Sequence, residues 1–276
     1  MKTFLLDGDI LVYVVAFSCK DETRKSIVRA AADKVLFNLL RLSECDNYIG
    51  FLTDSKSNFR NTRATTLKYK GNRDKVEDPA WKEYVKQYFI NTHGWQVMYG
   101  IEADDALVIA AEHLGNENVV CGTIDKDLLQ YPWKGFVQKG KIISISEQQA
   151  HLNLWTQVIL GDKPTDNIPG LSHAATYMNS VKRGSKDELW GPVKAKAFLE
   201  GDPDKYAPRI LSEYIDAYHG NDIPEGIDTE YQCFGEYRFH ETFDLVHMLR
   251  EAPTGVNISY ETQVINKEVK NEFIDN

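Results

Sequence analysis

Acidic side chains fall where the apolar runs of this chain end. The segments read LLDGD (Asp7, Asp9), FLTD (Asp54), IEADD (Glu102, Asp104, Asp105), GTIDKD (Asp125, Asp127) and GDKPTDN (Asp162, Asp166). Strands of a parallel sheet end at one edge, so acids at several strand ends meet in one crevice. Carboxylates that close repel one another, and a pair of hard divalent cations is the usual relief. A donor set of oxygen alone, without paired His or Cys, indicates Mg²⁺ or Mn²⁺ rather than zinc. Paired-metal carboxylate sites commonly serve phosphate-ester chemistry.

Each cluster has a plainer explanation when taken singly. An Asp just after a strand ordinarily caps the next helix, and Asp9 reads that way, whereas Asp7 ends the strand and points into the crevice. The acids of IEADD suit a helix dipole, although three exceed what a cap requires and Glu102 and Asp105 share a helix face. Asp54, Asp125 and Asp127 are each ambiguous alone. Jointly the clusters favour the metal reading, because all but one of the expected strands ends in acid.

A basic run opposes these acids. Lys56, Arg60, Arg63, Lys68, Lys70, Arg73 and Lys75 stand against Asp74 alone within residues 56–75. A solvated loop is one reading and a polyanion contact the other. In Tyr69-Lys70-Gly71-Asn72-Arg73 the two cations suit a clamp on a phosphodiester, and the Tyr suits stacking on an unpaired base. Gly71-Asn72 would equally suit a plain turn. Farther on, GDKPTDNIPG (161–170) and GPVKAKAFL (191–199) have the Gly-rich texture of a hairpin that offers backbone amides to duplex phosphates. Gly170 would sit at that contact, with Lys194 and Lys196 adding charge.

The elements that must position these groups follow from apolar patterning. Residues 3–6, 47–52, 95–99 and 118–124 read as strands, and 26–42 and 104–114 as helices. Continuous apolar strands alternating with helices predict an α/β fold with a central, mostly parallel sheet covered on both faces. Residues 134–146 read as a hairpin turning at Lys139-Gly140. Beyond residue 147 the texture becomes helical, over 147–160, 204–219 and 237–250. A short helix starts at Pro192 and stops at Gly201. Residues 252–276 show no clear period. The expected organisation is an α/β core over 1–160, with a basic gateway at 56–100, and a helical, duplex-binding region over 161–276.

Composition narrows the class. Hydrophobic content of 42% and charged content of 26% are ordinary for a globular protein. The net charge of −9 argues against nucleic acid as a partner until the acids expected to hold two cations are set aside. Scattered Cys19, Cys45, Cys121 and Cys233 suggest neither disulfides nor zinc, and imply a cytoplasmic protein. Asp7 and Asp9 interrupt the N-terminal apolar stretch, so neither a signal peptide nor a membrane anchor is expected.

At this point the residues resemble a known family, the flap-endonuclease (structure-specific 5′-nuclease) superfamily, and within it the phage 5′–3′ exonucleases. LLDGD, FLTD, NFR, YKGNRD, GIEADDA, TIDKDL and GDKPTDNIPG occur in the family's order, over roughly residues 3–200. The resemblance implies a mixed sheet flanked by helices, a helical gateway and a helix–hairpin–helix-like duplex-binding element. It implies that Asp7, Asp54, Glu102 and Asp104 hold a first metal, with Asp105, Asp125, Asp127 and Asp166 nearer a second. Lys70 would be catalytic, Arg73 would contact phosphate and Tyr69 would stack near the scissile nucleotide. Arg60, Arg63 and Lys68 would add DNA contacts. The implied reaction is two-metal hydrolysis of phosphodiesters near 5′ ends of DNA or RNA–DNA hybrids by a monomer, with Mg²⁺ and with K⁺ at the hairpin. A free-standing nuclease of this kind would suit phage replication, primer removal or DNA degradation.

The chain departs from the family in three places. The GDxxDN motif is one residue longer, which bears on whether Asp162 reaches a metal as Asp166 does. Residues 74–101 are short for a full arch, and 171–190 separate the two halves of the hairpin. Two other readings stand beside the nuclease. A haloacid-dehalogenase-type phosphatase would use Asp7 as nucleophile, but would leave Asp54, Asp125, Asp127, YKGNR and GDKPTDNIPG without roles. A non-catalytic module that binds branched DNA would be expected to have lost metal acids, and all are present.

Overall fold

The computed structural model describes residues 2–173, 190–223, 225–227 and 230–264. In its first part β1 (Thr3–Asp7), α1 (Gly8–Ser18), α2 (Lys25–Ser43) and β2 (Asn47–Thr53) lead to a single turn, α3 (Arg60–Arg63). Then come α4 (Lys82–His93), β3 (Gln96–Met98), α5 (Ala103–Leu114), β4 (Val119–Gly122), β5 (Phe136–Gln138) and β6 (Lys141–Ile143). The second part holds α6 (Glu147–Leu160), β7 (Gly161–Asp162), the turn α7 (Lys163–Asp166) and β8 (Ile168–Pro169). It continues through α8 (Pro192–Phe198), α9 (Tyr206–Ala217), α10 (Phe234–Val246) and β9 (Gln263–Val264).

The chain packs as two compact units. The first comprises the described residues within 1–59, 76–147 and 248–276, and the second those within 60–75 and 148–247. The boundary expected at 160/161 therefore falls at 147/148. Its cause is α6, whose Trp155, Val158 and Ile159 join the second unit's core.

In the first unit the sheet runs β3-β2-β1-β4-β5-β6. Neighbours are parallel except β5 and β6, and β9 adds an antiparallel pairing to the start of β2. Strand order reverses between β1 and β4, the place where open α/β sheets form a crevice beyond their carboxyl ends. All of β1 is buried and β2 is buried except at its two ends, as continuous apolar strands require when both faces are covered. On α2, Val28, Ala32, Leu36 and Leu40 recur every fourth residue and are fully buried against the sheet. Stacking of Phe89 on Trp95, with ring centroids 3.9 Å apart, ties α4 to the same core. The hairpin turns at Lys139 and Gly140, both with positive φ (49° and 74°), the pairing a tight two-residue turn demands.

No loop separates β1 from α1. A Cβ on Gly8 would lie 2.4 Å from the Phe51 carbonyl oxygen, so only glycine lets the helix start directly against β2. This abrupt start fixes Asp7 at the sheet edge.

The second unit is helical around Trp155, Ile159, Ile210, Tyr214, Phe234 and Tyr237. The β7–β8 hairpin brings backbones into contact: a Cβ would meet the Ile168 carbonyl oxygen at 2.3 Å from Gly161 and the Leu160 carbonyl carbon at 2.2 Å from Gly170. A buried ion pair, Arg238–Glu241, anchors the unit. Arg238 donates to the Pro169 carbonyl at 2.7 Å, and Glu241 accepts the backbone amides of Thr65 and Thr66 at 2.6 and 2.8 Å. The helix expected over 237–250 starts earlier and stops at Val246. Gly235 lets it pack against the Ile215 backbone, and Arg60 binds the carbonyls of Leu245 and His247. Residues 265–276 and most of the 171–190 insertion lie outside the described residues. Among the described residues no helix is long and apolar enough to cross a membrane.

Candidate metal and phosphate-binding residues

The carboxyl edge of the first unit's sheet gathers acids from four strand ends. Asp7 closes β1, Asp54 follows β2, Glu102 to Asp105 follow β3, and Asp125 and Asp127 follow β4. Asp7 is 3% exposed and caps α1, accepting the Ile10 amide at 3.3 Å and the Thr123 hydroxyl at 2.7 Å. The cap expected of Asp9 thus belongs to Asp7, because the helix begins two residues earlier than the sequence suggested. Asp9 instead accepts the Thr53 amide with both oxygens, at 3.1 and 3.2 Å.

Glu102 and Asp105 form a capping box at the start of α5. Asp105 is fully buried, and its oxygens accept the Glu102 and Leu249 amides at 3.1 and 3.0 Å. Asp104 lies in the first turn of α5. Burial, then Asp7, Asp125, Glu102 and Asp127, push its carboxyl well above the usual range. Asp7 is raised to about 7 by burial and by Asp9, with Asp125 adding to the shift against the Thr123 and Ile10 hydrogen bonds. Asp125 is tied to Asp127, whose amide donates to it at 2.9 Å. Asp54 accepts the Ser57 amide at 3.2 Å.

These side chains face one another at electrostatic range rather than ligating range. Among the described residues, no three Asp, Glu, His or Cys side chains are drawn together as around an ion. The donor set itself suits a hard divalent cation: it is all oxygen, and burial first, then neighbouring acids, hold Asp7 and Asp104 proton-rich. Sequence reasoning overlooked Thr53 and Thr123, the neutral residues that tether Asp9, Asp7 and Asp125. Their only signal is a hydroxyl at or just after a strand end.

Asp162 and Asp166 belong to the second unit. Asp162 caps α7, accepting the Thr165 amide at 3.1 Å. Asp166 sits among cations: Arg73 at 2.6 Å and Lys70 at 4.0 Å, with the Tyr69 hydroxyl donating at 3.1 Å. The YKGNR loop lies on the KPTDN turn through Lys70 N–H to the Asp166 carbonyl (2.9 Å) and Asn167 to the Lys68 carbonyl (2.9 Å). Two motifs far apart in sequence thereby form one cluster. Lys70 holds a left-handed backbone, φ 54°.

Three expected DNA contacts are corrected by burial. Arg60 is 0% exposed and spends its guanidinium on the carbonyls of Leu245 and His247, each at 2.9 Å. Tyr69 is 5% exposed within the apolar core, so packing already covers the ring that was expected to stack on a base. Gly170 is buried, and close backbone approach in the β7–β8 hairpin accounts for it. Arg63 pairs with Asp244 at 2.6 Å and Lys68 with Asp74 at 2.6 Å. Lys194 and Lys196 remain exposed, Lys194 lying over the Trp190 ring.

No family model and no curated protein matches the chain. Solved structures of T5 5′-exonuclease share the fold. The T5 D15 protein co-crystallised with metal ions is 15% identical, with TM-score 0.53 over 89% of this chain and 86% of that one. The T5 5′-exonuclease with divalent zinc ions bound is 16% identical, with TM-score 0.57 over 89% of each chain. The likeness at this identity is one of fold: a mostly parallel sheet flanked by helices.

Proposed function

We propose that the chain is a divalent-metal-dependent 5′-nuclease that hydrolyses phosphodiesters near 5′ ends of DNA, with RNA in hybrids as a further substrate. The observation that carries this reading is the crowd of strand-end acids at the β1/β4 reversal, where Asp7 and Asp104 are held proton-rich by burial and by neighbouring acids. It is supported by a fold shared with a T5 5′-exonuclease that binds divalent metal ions.

Asp7, Asp104 and Asp125, with Asp54, Glu102 and Asp127 around them, would hold the ions, and the oxygen-only donors favour Mg²⁺ or Mn²⁺. Bound there, divalent cations would neutralise the carboxylates and supply positive charge to a phosphodiester. Thr123 orients Asp7 by donating to one of its oxygens, and Thr53 fixes Asp9. The resemblance assigns Lys70 to stabilising charge on the reacting phosphate and Arg73 to phosphate binding. The approach of both cations to Asp166, itself an oxyanion, supports those assignments.

The test uses 5′-labelled blunt, nicked, flapped and RNA–DNA hybrid duplexes with Mg²⁺, resolved by product length. Short 5′-labelled products that disappear with EDTA are expected. Intact nucleic acids together with rapid turnover of a chromogenic phosphate monoester would instead favour a phosphatase with Asp7 as nucleophile.

A further inference from the structure

Thr53 is the last residue of β2, and three groups from three other elements meet it. Its amide donates to both oxygens of Asp9 in the first turn of α1 (3.1 and 3.2 Å). Its carbonyl accepts the Lys86 ammonium from α4 at 2.9 Å. Its hydroxyl oxygen accepts the amide of Ala103, the first residue of α5, at 2.9 Å. Asp54 follows it in sequence, while Glu102 and Asp104 flank Ala103. One neutral side chain and one lysine therefore set the junctions that carry three of the candidate metal acids.

We infer that Thr53 and Lys86 are positioning residues of the metal site, holding the Asp54 and Glu102–Asp104 junctions in register through the Asp9–Thr53–Lys86–Ala103 hydrogen bonds. This inference rests on the nuclease reading for the existence of the site. The carboxylate of Asp9 is spent on the Thr53 amide and lies within the influence of Lys86. Asp9 is thereby an anchor for β2, and the ligating work falls to the other acids. Groups that orient metal ligands by hydrogen bonds typically change metal affinity about 10–100-fold when removed.

The two side chains give opposed signatures. Thr53→Val keeps shape and both backbone partners and deletes the hydroxyl, which accepts from Ala103 and hydrogen-bonds Asp9. No charge changes, so any loss of metal affinity reports position. Lys86→Met removes a cation beside an acidic crevice, which on charge alone would tighten cation binding. A positioning role predicts the reverse.

The experiment measures Mn²⁺ binding to the full chain by the free-ion electron paramagnetic resonance signal, with circular dichroism as a check on folding. Thr53→Val is expected to weaken Mn²⁺ about tenfold and Lys86→Met several-fold, on the order of the effects known for such groups. Lys86→Arg should recover most of that loss, since its guanidinium can still reach the Thr53 carbonyl. Unchanged Mn²⁺ affinity in Thr53→Val, or tighter binding in Lys86→Met, overturns the inference and leaves the nuclease reading intact. Absence of Mn²⁺ binding by the unaltered chain removes both. Should Thr53→Val fail to fold, Lys86→Met on the half-buried face of α4 decides alone.

Discussion

Asp7 illustrates how one side chain can answer both to the fold and to the proposed chemistry. It caps α1, accepts from Thr123, and is buried beside Asp9. Unfolded, its carboxyl titrates near the ordinary 3.8, whereas in the folded chain it is raised to about 7. Between those values the folded state binds more protons, so this group's contribution to stability falls as pH rises through the window. Metal-free protein should therefore lose thermal midpoint from pH 4 to about pH 7. Mn²⁺ at pH 8 should restore it, and Asp7→Asn should flatten the slope; a midpoint independent of pH in the unaltered chain would count against this account. Lys70 offers a second residue-scale outcome. Lys70→Ala should lower single-turnover cleavage about a hundredfold while DNA affinity changes little, as expected for a group acting on developing charge. An unchanged rate would remove Lys70 from the reaction.

Junctions between elements carry the design. The β1–α1 junction has no loop because Gly8 admits the Phe51 carbonyl where any side chain would clash. Gly8→Ala should cost roughly 1–3 kcal/mol, the range for forcing an extra carbon into a packed site. Urea denaturation measures this, and a midpoint equal to the parent's would show that the junction yields. The α10 C-terminus is likewise held by Arg60, whose guanidinium satisfies the Leu245 and His247 carbonyls. A basic residue read from sequence as a DNA contact is a helix-end anchor. Arg60→Ala should destabilise by about 2–4 kcal/mol, the cost of orphaned buried polar groups plus lost packing. Per folded molecule, its DNA affinity should match the parent's.

For the whole molecule, a net charge of −9 must be reconciled with the polyanionic substrate proposed for it. Fewer cations are available to it than the sequence suggested, because Arg60 is interior and Arg63 and Lys68 are paired with Asp244 and Asp74. DNA binding should still weaken with salt. Replacing exposed Lys194 and Lys196 by alanine should lower the log–log salt slope by about one for each phosphate that these lysines neutralise. A slope unaltered by the double substitution would exclude α8 from the DNA-facing surface.

Patterning along the chain determined the sheet, its mostly parallel sense, the Lys139-Gly140 hairpin and the helices other than α4, which it did not mark. It did so because apolar periodicity and turn residues act over a few neighbours. It also marked the acids at strand ends, since the carboxyl edge of a parallel sheet is a local property of each strand. Only the tertiary structure decided which of those acids feel one another. Burial and repulsion depend on elements far apart in sequence, and they raise the carboxyls of Asp7, Asp9 and Asp104 while backbone amides occupy Asp105. Exposure was settled at the same level. A basic or aromatic residue reads alike in sequence whether it faces water or core, and packing alone drew Arg60 and Tyr69 inward. The neutral hydroxyls of Thr53 and Thr123 carry no charge pattern, so their roles emerge only where β1, β2, β4 and α5 come together.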